Sequence, residues 1–149
     1  MSASEIALLD ACEARNMLDA FNVQKRLNRR LRRLHGLFAR RAALSPHRPA
    51  LRFPGGMLTY AELDQYTDRL AVRLRQKGVR IESMVGVLAE RSPEMVVSVL
   101  AVLKAGGAYV PLDPEYPEDR LRYMLDDCGA CLLLAQPGLS VSGFSGGDA

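Results

Sequence analysis

Residues 103–114 read LKAGGAYVPLDP and contain an abrupt change in the hydrophobic pattern. Before Gly106 the chain continues an apolar helical pattern that starts at Pro93, and after Gly107 residues 108–112 form an apolar run typical of a buried strand. Two consecutive glycines allow the chain to leave a helix and enter a strand without Cβ clashes. The stretch therefore predicts a helix, a glycine turn and a buried strand.

The other polar and proline residues of this stretch have structural interpretations. Pro111 and Pro114 stiffen the exit from the strand, and Asp113 can hydrogen-bond the backbone of its own turn. Lys104 lies in the last helical turn, where a cation is favourable beside the free carbonyl groups. We expect Lys104 to be a surface lysine of this kind rather than a ligand-binding residue.

Strands and helices alternate on both sides of the glycine turn. The predicted strands are 50–53, 84–88, 108–112 and 131–135, the predicted helices are 59–77, 93–105 and 117–127, and residues 54–56 form a turn. Strands joined by helices run parallel and form a sheet that helices cover. The sequence therefore predicts the α/β class, with a partial parallel sheet over residues 50–135.

The helix over residues 59–77 has the clearest start in the sequence. Thr59 and Glu62 have the spacing of a capping box, in which each side chain accepts a backbone N–H of the first turn. Gly78 follows the last turn and is typical of a helix C-cap. The expected buried stripe consists of Leu63, Tyr66, Leu70 and Leu74.

The N-terminal region is helical in pattern and strongly basic. Apolar spacing predicts a helix over residues 6–21, and residues 23–41 contain eight Lys or Arg residues and no acidic ones. Within the basic stretch a narrow apolar stripe of Leu27, Leu31, Leu34 and Phe38 favours packing against protein. All 17 acidic residues lie elsewhere, and Phe38 is the single aromatic residue within the stretch, so the pattern favours a linker or docking helix and disfavours nucleic acid.

Composition excludes several classes of protein. The chain has 149 residues, of which 48% are hydrophobic and 25% charged, as in an ordinary globular domain. No apolar run reaches the roughly 18 residues of a membrane span, and no secretory signal is visible at the N-terminus. Three cysteines without framework spacing argue against a disulfide-stabilised secreted domain. We therefore expect a cytoplasmic protein without membrane contact.

Two short motifs resemble binding sites but have simpler explanations. Cys128 and Cys131 have the spacing of a metal knuckle, but a helix-end glycine followed by a buried strand explains the pair without zinc. Residues 138–145 have the spacing of a phosphate loop, but Phe144 stands where the lysine is needed. We expect residues 138–149 to be a flexible Gly/Ser tail.

The strings at 58–63 (LTYAEL) and 103–114, with its continuation EYPEDRL, resemble the first two core motifs of adenylation domains in nonribosomal peptide synthetases. Residues 34–38 and 45–51 resemble the segment that opens such domains, and residues 8–22 resemble the linker from a preceding condensation domain. The resemblance covers roughly residues 5–137 and implies three regions. These are a linker and basic helix over 1–33, the N-terminal part of an AMP-binding domain over 34–137, and the tail over 138–149.

The resemblance implies that the complete domain uses ATP and Mg²⁺ to convert an amino acid into an acyl-adenylate, which is loaded onto the phosphopantetheine thiol of a carrier domain. The phosphate loop and the catalytic lysine of the family match no position here, so no catalytic, cofactor-binding or metal residue is assigned. We expect this fragment alone to bind no cofactor, to be inactive, and to self-associate or fold marginally. The implied partners are condensation and carrier domains. The alternative is a non-catalytic module that docks a protein or a polyanion through the basic helix.

Overall fold

The computed structural model describes residues 33–144 and, for the backbone alone, residues 147 and 148. The predicted helix over 6–21 lies outside the described residues, as do Leu27 and Leu31 of the apolar stripe. The elements in chain order are α1 (Leu34–Leu44), β1 (Pro49–Phe53), β2 (Gly56–Thr59), α2 (Tyr60–Gln76), β3 (Met84–Leu88), α3 (Pro93–Ala105), β4 (Ala108–Leu112), α4 (Glu118–Asp127), β5 (Leu132–Ala135) and β6 (Gly147–Asp148).

The sheet is parallel, and the predicted fold class is confirmed. Four strands lie in the order β4-β3-β5-β6, and each neighbouring pair is parallel. Residues Met84–Leu88 of β3 pair in register with Ala108–Leu112 of β4 on one side and with β5 on the other. Strand β3 therefore lies between β4 and β5, and the chain crosses over it to reach β5.

The first predicted strand does not belong to this sheet. Strand β1 pairs antiparallel with β2, which the sequence analysis missed, and the two form a separate two-stranded sheet. The turn between them uses Pro54 and Gly55, and Gly55 has a φ of +101° that favours glycine. The turn ends one residue earlier than expected, and Gly56 is the first residue of β2.

Both faces of the parallel sheet are buried. Alternate residues of β3 and β5 face helices α2 and α3 and form one apolar cluster, which includes Val85, Val87, Leu132 and Leu134. The intervening residues face α4 and form a second cluster, which includes Leu88, Leu121, Leu125 and Leu133. Helices α3 and α4 therefore cover opposite faces of the sheet.

Helix α2 begins with the predicted capping box. The Thr59 backbone N–H donates to Glu62 Oε2 at 2.8 Å, and the Glu62 N–H donates to Thr59 Oγ1 at 3.3 Å. The predicted stripe is wrong at Tyr66, whose side chain is 48% exposed, whereas Thr67 and Ala71 are buried. A buried Thr67 is tolerated because its hydroxyl donates to the Asp64 carbonyl oxygen at 2.9 Å.

The apolar stripe of the basic stretch is only partly buried where the structure describes it. Leu34 is exposed although the pattern places it with Phe38, which is partly buried against the Tyr60 ring with 5.9 Å between centroids. The single fully buried residue of α1 among those described is Ala42. Helix α1 therefore contacts the rest of the fold along a narrow strip.

Part of the Gly/Ser-rich region packs against the sheet. Val141 is buried in the cluster beneath α4, and Leu139 and Phe144 contact the same cluster. The Ser142 backbone N–H donates to Glu118 Oε1 at 2.7 Å, and Arg122 Nε donates to the Ser142 carbonyl at 3.2 Å. Among the described residues, no helix is long and apolar enough to span a membrane.

The glycine turn has the predicted role. Gly106 caps α3 in the left-handed region at a φ of +99°, and the Gly107 N–H donates to the Val102 carbonyl at 3.0 Å. A Cβ on Gly107 would lie 2.9 Å from the Ser83 carbonyl oxygen, 3.1 Å from Val79 and 3.2 Å from Val102. The contact with a backbone atom leaves no room for a side chain at this position.

We predict that Gly107→Ala lowers the free energy of unfolding by about 2 kcal/mol, because the added methyl group displaces the Ser83 backbone. Gly36→Ala is the matched control, since a Cβ there meets no atom within 4 Å and the residue lies inside α1. It should raise stability by about 0.5 kcal/mol. Urea unfolding curves test both, and similar midpoints for the two variants would contradict the assigned role.

Candidate functional site

The order of the strands creates a crevice at the carboxyl edge of the sheet. The connection from β3 to β4 passes over one face through α3, and the connection from β4 to β5 passes over the other through α4. The loops that follow β3 and β4 therefore diverge. In open α/β sheets, ligands bind in crevices outside the carboxyl ends of the strands.

This opening, which we call the switch crevice, has a volume of about 620 Å³. Its lining consists of Ala89, Glu90, Arg91 and Met95 after β3, and of Pro111, Leu112, Asp113, Pro114, Glu115 and Tyr116 at the end of β4. The charged lining residues are three carboxylates and one arginine. The charged groups of the crevice are therefore predominantly acidic.

The loop after β4 is held by its own hydrogen bonds. Asp113 Oδ1 accepts the Glu115 N–H at 3.0 Å, and the Asp113 carbonyl accepts the Tyr116 N–H at 3.0 Å. This confirms the role expected for Asp113. The Arg120 guanidinium lies 4.1 Å from the centre of the Tyr116 ring, a cation–π distance that fixes the far wall of the crevice.

The loop after β3 is tied to the loop after β5. The Gln136 backbone N–H donates to the Leu88 carbonyl at 2.9 Å, and Gln136 Oε1 accepts the Glu90 N–H at 3.1 Å. Helix α3 then starts with Ser92, whose hydroxyl accepts the Met95 N–H at 3.3 Å. Hydrogen bonds from its own backbone N–H and from the Ser92 hydroxyl lower the pKa of Glu94.

These groups do not fit a nucleotide triphosphate with its Mg²⁺. Phosphates require several N–H donors and cations, whereas the switch crevice offers mainly carboxylates. At the motif resembling a phosphate loop, the Ser142 N–H is already donated to the Glu118 carboxylate. Hydrogen bonds from the Ser142 hydroxyl and then from its backbone N–H lower the pKa of Glu118. Holding the phosphates of ATP therefore requires groups other than those described here.

The cysteine pair is engaged with the backbone. Cys128 Sγ donates to the Leu125 carbonyl at 3.4 Å and Cys131 Sγ to the Met84 carbonyl at 3.3 Å, so the two thiols contact different elements. Among residues 33–144, no group of three or more Cys, His, Asp or Glu side chains is arranged to hold a metal ion.

The expectation that Lys104 lies on the surface is wrong. Its side chain is only 10% exposed, and its ammonium lies 2.6 Å from Asp64 Oδ1 and 2.7 Å from Asp68 Oδ1. It also donates to the Asp64 carbonyl at 3.3 Å and lies 5.5 Å from the centre of the Phe38 ring. We call Lys104, Asp64, Asp68 and Phe38 the lysine cluster.

The lysine cluster joins three helices. Lys104 extends from α3, the two aspartates are on α2, and Phe38 is on α1. A second contact reinforces the joint, since Arg75 Nη1 on α2 donates to the Lys104 carbonyl at 3.1 Å. The sequence contained a signal for this arrangement, because Asp64 and Asp68 are four residues apart on one helix face.

Comparison with known proteins identifies the family. The family model of AMP-binding enzymes matches residues 38–145, and the chain belongs to this family. A plipastatin synthase of Bacillus subtilis (strain 168) is 56% identical over 98% of this chain, and gramicidin S synthase 2 of Brevibacillus brevis is 44% identical over 89%. The chain spans 6% and 3% of the length of these two relatives.

Solved structures agree with this assignment. The N-terminal subdomain of Klebsiella oxytoca NpsA superposes with a TM-score of 0.71 at 29% identity, over 78% of this chain and 30% of that one. The nonribosomal peptide synthetase FmoA3, solved with α-methyl-L-serine-AMP bound, superposes with a TM-score of 0.68 at 36% identity, over 70% of this chain and 12% of that one. The chain is thus part of an adenylation domain of the nonribosomal peptide synthetase type.

We predict that Lys104→Met lowers the free energy of unfolding by about 2 kcal/mol, because it leaves two aspartates side by side without their cation. The value is below the roughly 3–5 kcal/mol typical of fully buried pairs, since Asp68 is largely exposed. Asp119→Asn is the control: its pair with Arg122 is 3.7 Å long and exposed, so no measurable change is expected. Equal urea midpoints for the two variants would contradict the role of Lys104.

The chain has two histidines, and His35 should make stability depend on pH. Burial, then the nearby Arg33 and Lys104 charges, lower the pKa of His35 below 6.5. The folded state therefore takes up its proton at lower pH than the unfolded state, so stability is complete above pH 6.5 and falls as the pH drops through the folded-state pKa.

Urea unfolding between pH 7.5 and 5.5 measures this effect. His35→Gln should flatten the decrease in stability in that range, whereas His47→Gln, the matched control, should retain it. An unchanged profile for His35→Gln would contradict the partial burial of His35 beside Arg33 and Lys104.

Proposed function

We propose that this chain is the scaffold portion of an ATP-dependent, amino-acid-adenylating module of nonribosomal peptide synthesis and has no activity alone. Within it, residues 34–137 supply the first part of the AMP-binding domain, residues 1–33 a linker and basic helix, and residues 138–149 the following tail. The family assignment and the acidic switch crevice support this proposal.

The described residues perform structural tasks in such a module. The lysine cluster holds α1, α2 and α3 together, and the glycine turn sets the start of β4 against β3. The Asp113 turn and the Gln136 contacts then fix the loops at the carboxyl edge. Membership of the AMP-binding family implies that the full domain uses ATP, whose phosphates must be held by groups beyond those described here.

The assembly context follows the same reasoning. The related synthases are large proteins of which this chain matches only a small share. We propose condensation and carrier domains as partners, with the carrier's phosphopantetheine thiol receiving the activated amino acid. Docking of a polyanion through the basic helix stays a prediction, because most of the basic stretch lies outside the described residues.

ATP–pyrophosphate exchange with pooled amino acids tests the proposal. The purified chain should show exchange at background level, because the charged groups of the switch crevice are mainly carboxylates and the Ser142 N–H is already donated to Glu118. Amino-acid-dependent exchange by the chain that is lost in Lys104→Met would contradict the proposal.

A chimera provides the positive arm of the experiment. Replacing the aligned 146-residue segment of the Bacillus subtilis plipastatin synthase with this chain should leave amino-acid-dependent exchange in that module within about tenfold of the parent, since the segments are 56% identical and the proposed role is support. A folded chimera without exchange would contradict a purely supporting role.

A further inference from the structure

A second opening lies beside the switch crevice, on the face of the sheet covered by α2 and α3. It has a volume of about 680 Å³ and shares Ala89 with the crevice. Its apolar lining comes from the hairpin of β1 and β2, from α2 and α3, and from β5. It includes Phe53, Leu58, Tyr66, Leu70, Val97 and Leu134. We call this opening the hairpin groove.

The hairpin groove leaves apolar side chains in contact with water. Tyr66 is 48% exposed, and Phe53, Leu58, Leu70 and Val97 are only partly buried. The charged groups among the lining residues are Arg73 and Glu94, one of each sign. A contiguous apolar surface with a few charges around it is typical of a site that another polypeptide covers.

The extent of the superposition with a solved structure indicates which polypeptide covers the hairpin groove. The chain aligns with 30% of the NpsA N-terminal subdomain at a TM-score of 0.71, so most of that subdomain is polypeptide without a counterpart here. A domain is built around one contiguous apolar core. Among the described residues, the hairpin groove is where the apolar cluster under α2 and α3 opens outward, since Leu134 and Leu70 belong to that cluster and line the groove.

We propose that the hairpin groove is the surface on which the later part of the same adenylation domain packs, through a segment with apolar side chains flanked by charges of both signs. The inference rests on the proposed function, because the occupant is the polypeptide that completes the domain. It assigns Tyr66 to an interface inside the complete domain, and this explains why a tyrosine in the helical stripe is exposed in the chain.

Thiol labelling tests this surface, with a matched pair of positions on α2. Tyr66 and Val72 are 48% and 46% exposed, and Val72 lies six residues further along the helix, about 240° around its axis and outside the groove lining. Tyr66→Cys and Val72→Cys are made with all three native cysteines replaced by serine, both in the chain and in the plipastatin synthase chimera.

Both introduced thiols should react rapidly with a maleimide in the isolated chain. In the chimera the Tyr66→Cys thiol should react about tenfold more slowly or less, whereas the Val72→Cys thiol should be unchanged. Equal rates at position 66 in the chain and the chimera would overturn the proposal. Protection in the isolated chain that increases with its concentration would also overturn it, and would assign the groove to a second copy.

The labelling result is independent of the activity measurement. A chimera that is protected at position 66 but lacks exchange retains the groove assignment and rejects the proposed function. A chimera that shows exchange but is not protected at position 66 retains the proposed function and rejects the groove assignment. Tyr66→Glu and Val72→Glu give a second readout, because only the former should lower the melting temperature of the chimera more than that of the chain.

Discussion

The contact between Lys104 and the two aspartates of α2 organises the described part of the molecule. The ammonium lies 2.6 Å and 2.7 Å from the two carboxylates, and it also donates to the Asp64 carbonyl, so all three of its protons have acceptors. An ammonium with so little exposure is tolerated only with such partners. The α2 and α3 surfaces that cover the sheet are thus held in one relative position, and α1 is added through Phe38.

This constraint leads directly to the shape of the carboxyl edge. Helix α3 ends at the glycine turn beside Lys104 and begins at Pro93, after the Ser92 cap, and the loop before Ser92 lines the switch crevice. Helix α4 covers the other face and begins after the Asp113 turn. Fixing α3 at its carboxyl end therefore positions one wall of the crevice and one wall of the hairpin groove at its amino end, two features that share Ala89.

Local signals in the sequence were sufficient for the main elements of the fold. The glycine turn and the Thr59 capping box were predicted correctly, because each depends on residues that are adjacent in the chain. The parallel direction of the strands followed from the alternation of strands and helices. The family could be recognised because the motif at residues 103–114 is long.

Two of the errors concern how distant segments pack, and the third concerns where a turn ends. Lys104 was expected on the surface because a position in the last turn of a helix already explains a lysine. Its pairing with Asp64, 40 residues away in the sequence, depends on how α2 and α3 pack. Tyr66 fits the apolar spacing of α2, but the burial of Thr67 shows that the helix turns a slightly different face inward. Strand β2 was missed because Gly56 was counted as part of the turn. No catalytic residue was predicted, and this stays a prediction.

The central claim is that the lysine cluster determines how the helices cover the sheet. A double-mutant cycle between Lys104→Met and Asp64→Asn, measured by urea unfolding, tests it most directly. The account predicts a coupling energy of about 1–2 kcal/mol between the two positions. Additivity of the two single changes within about 0.3 kcal/mol would contradict it.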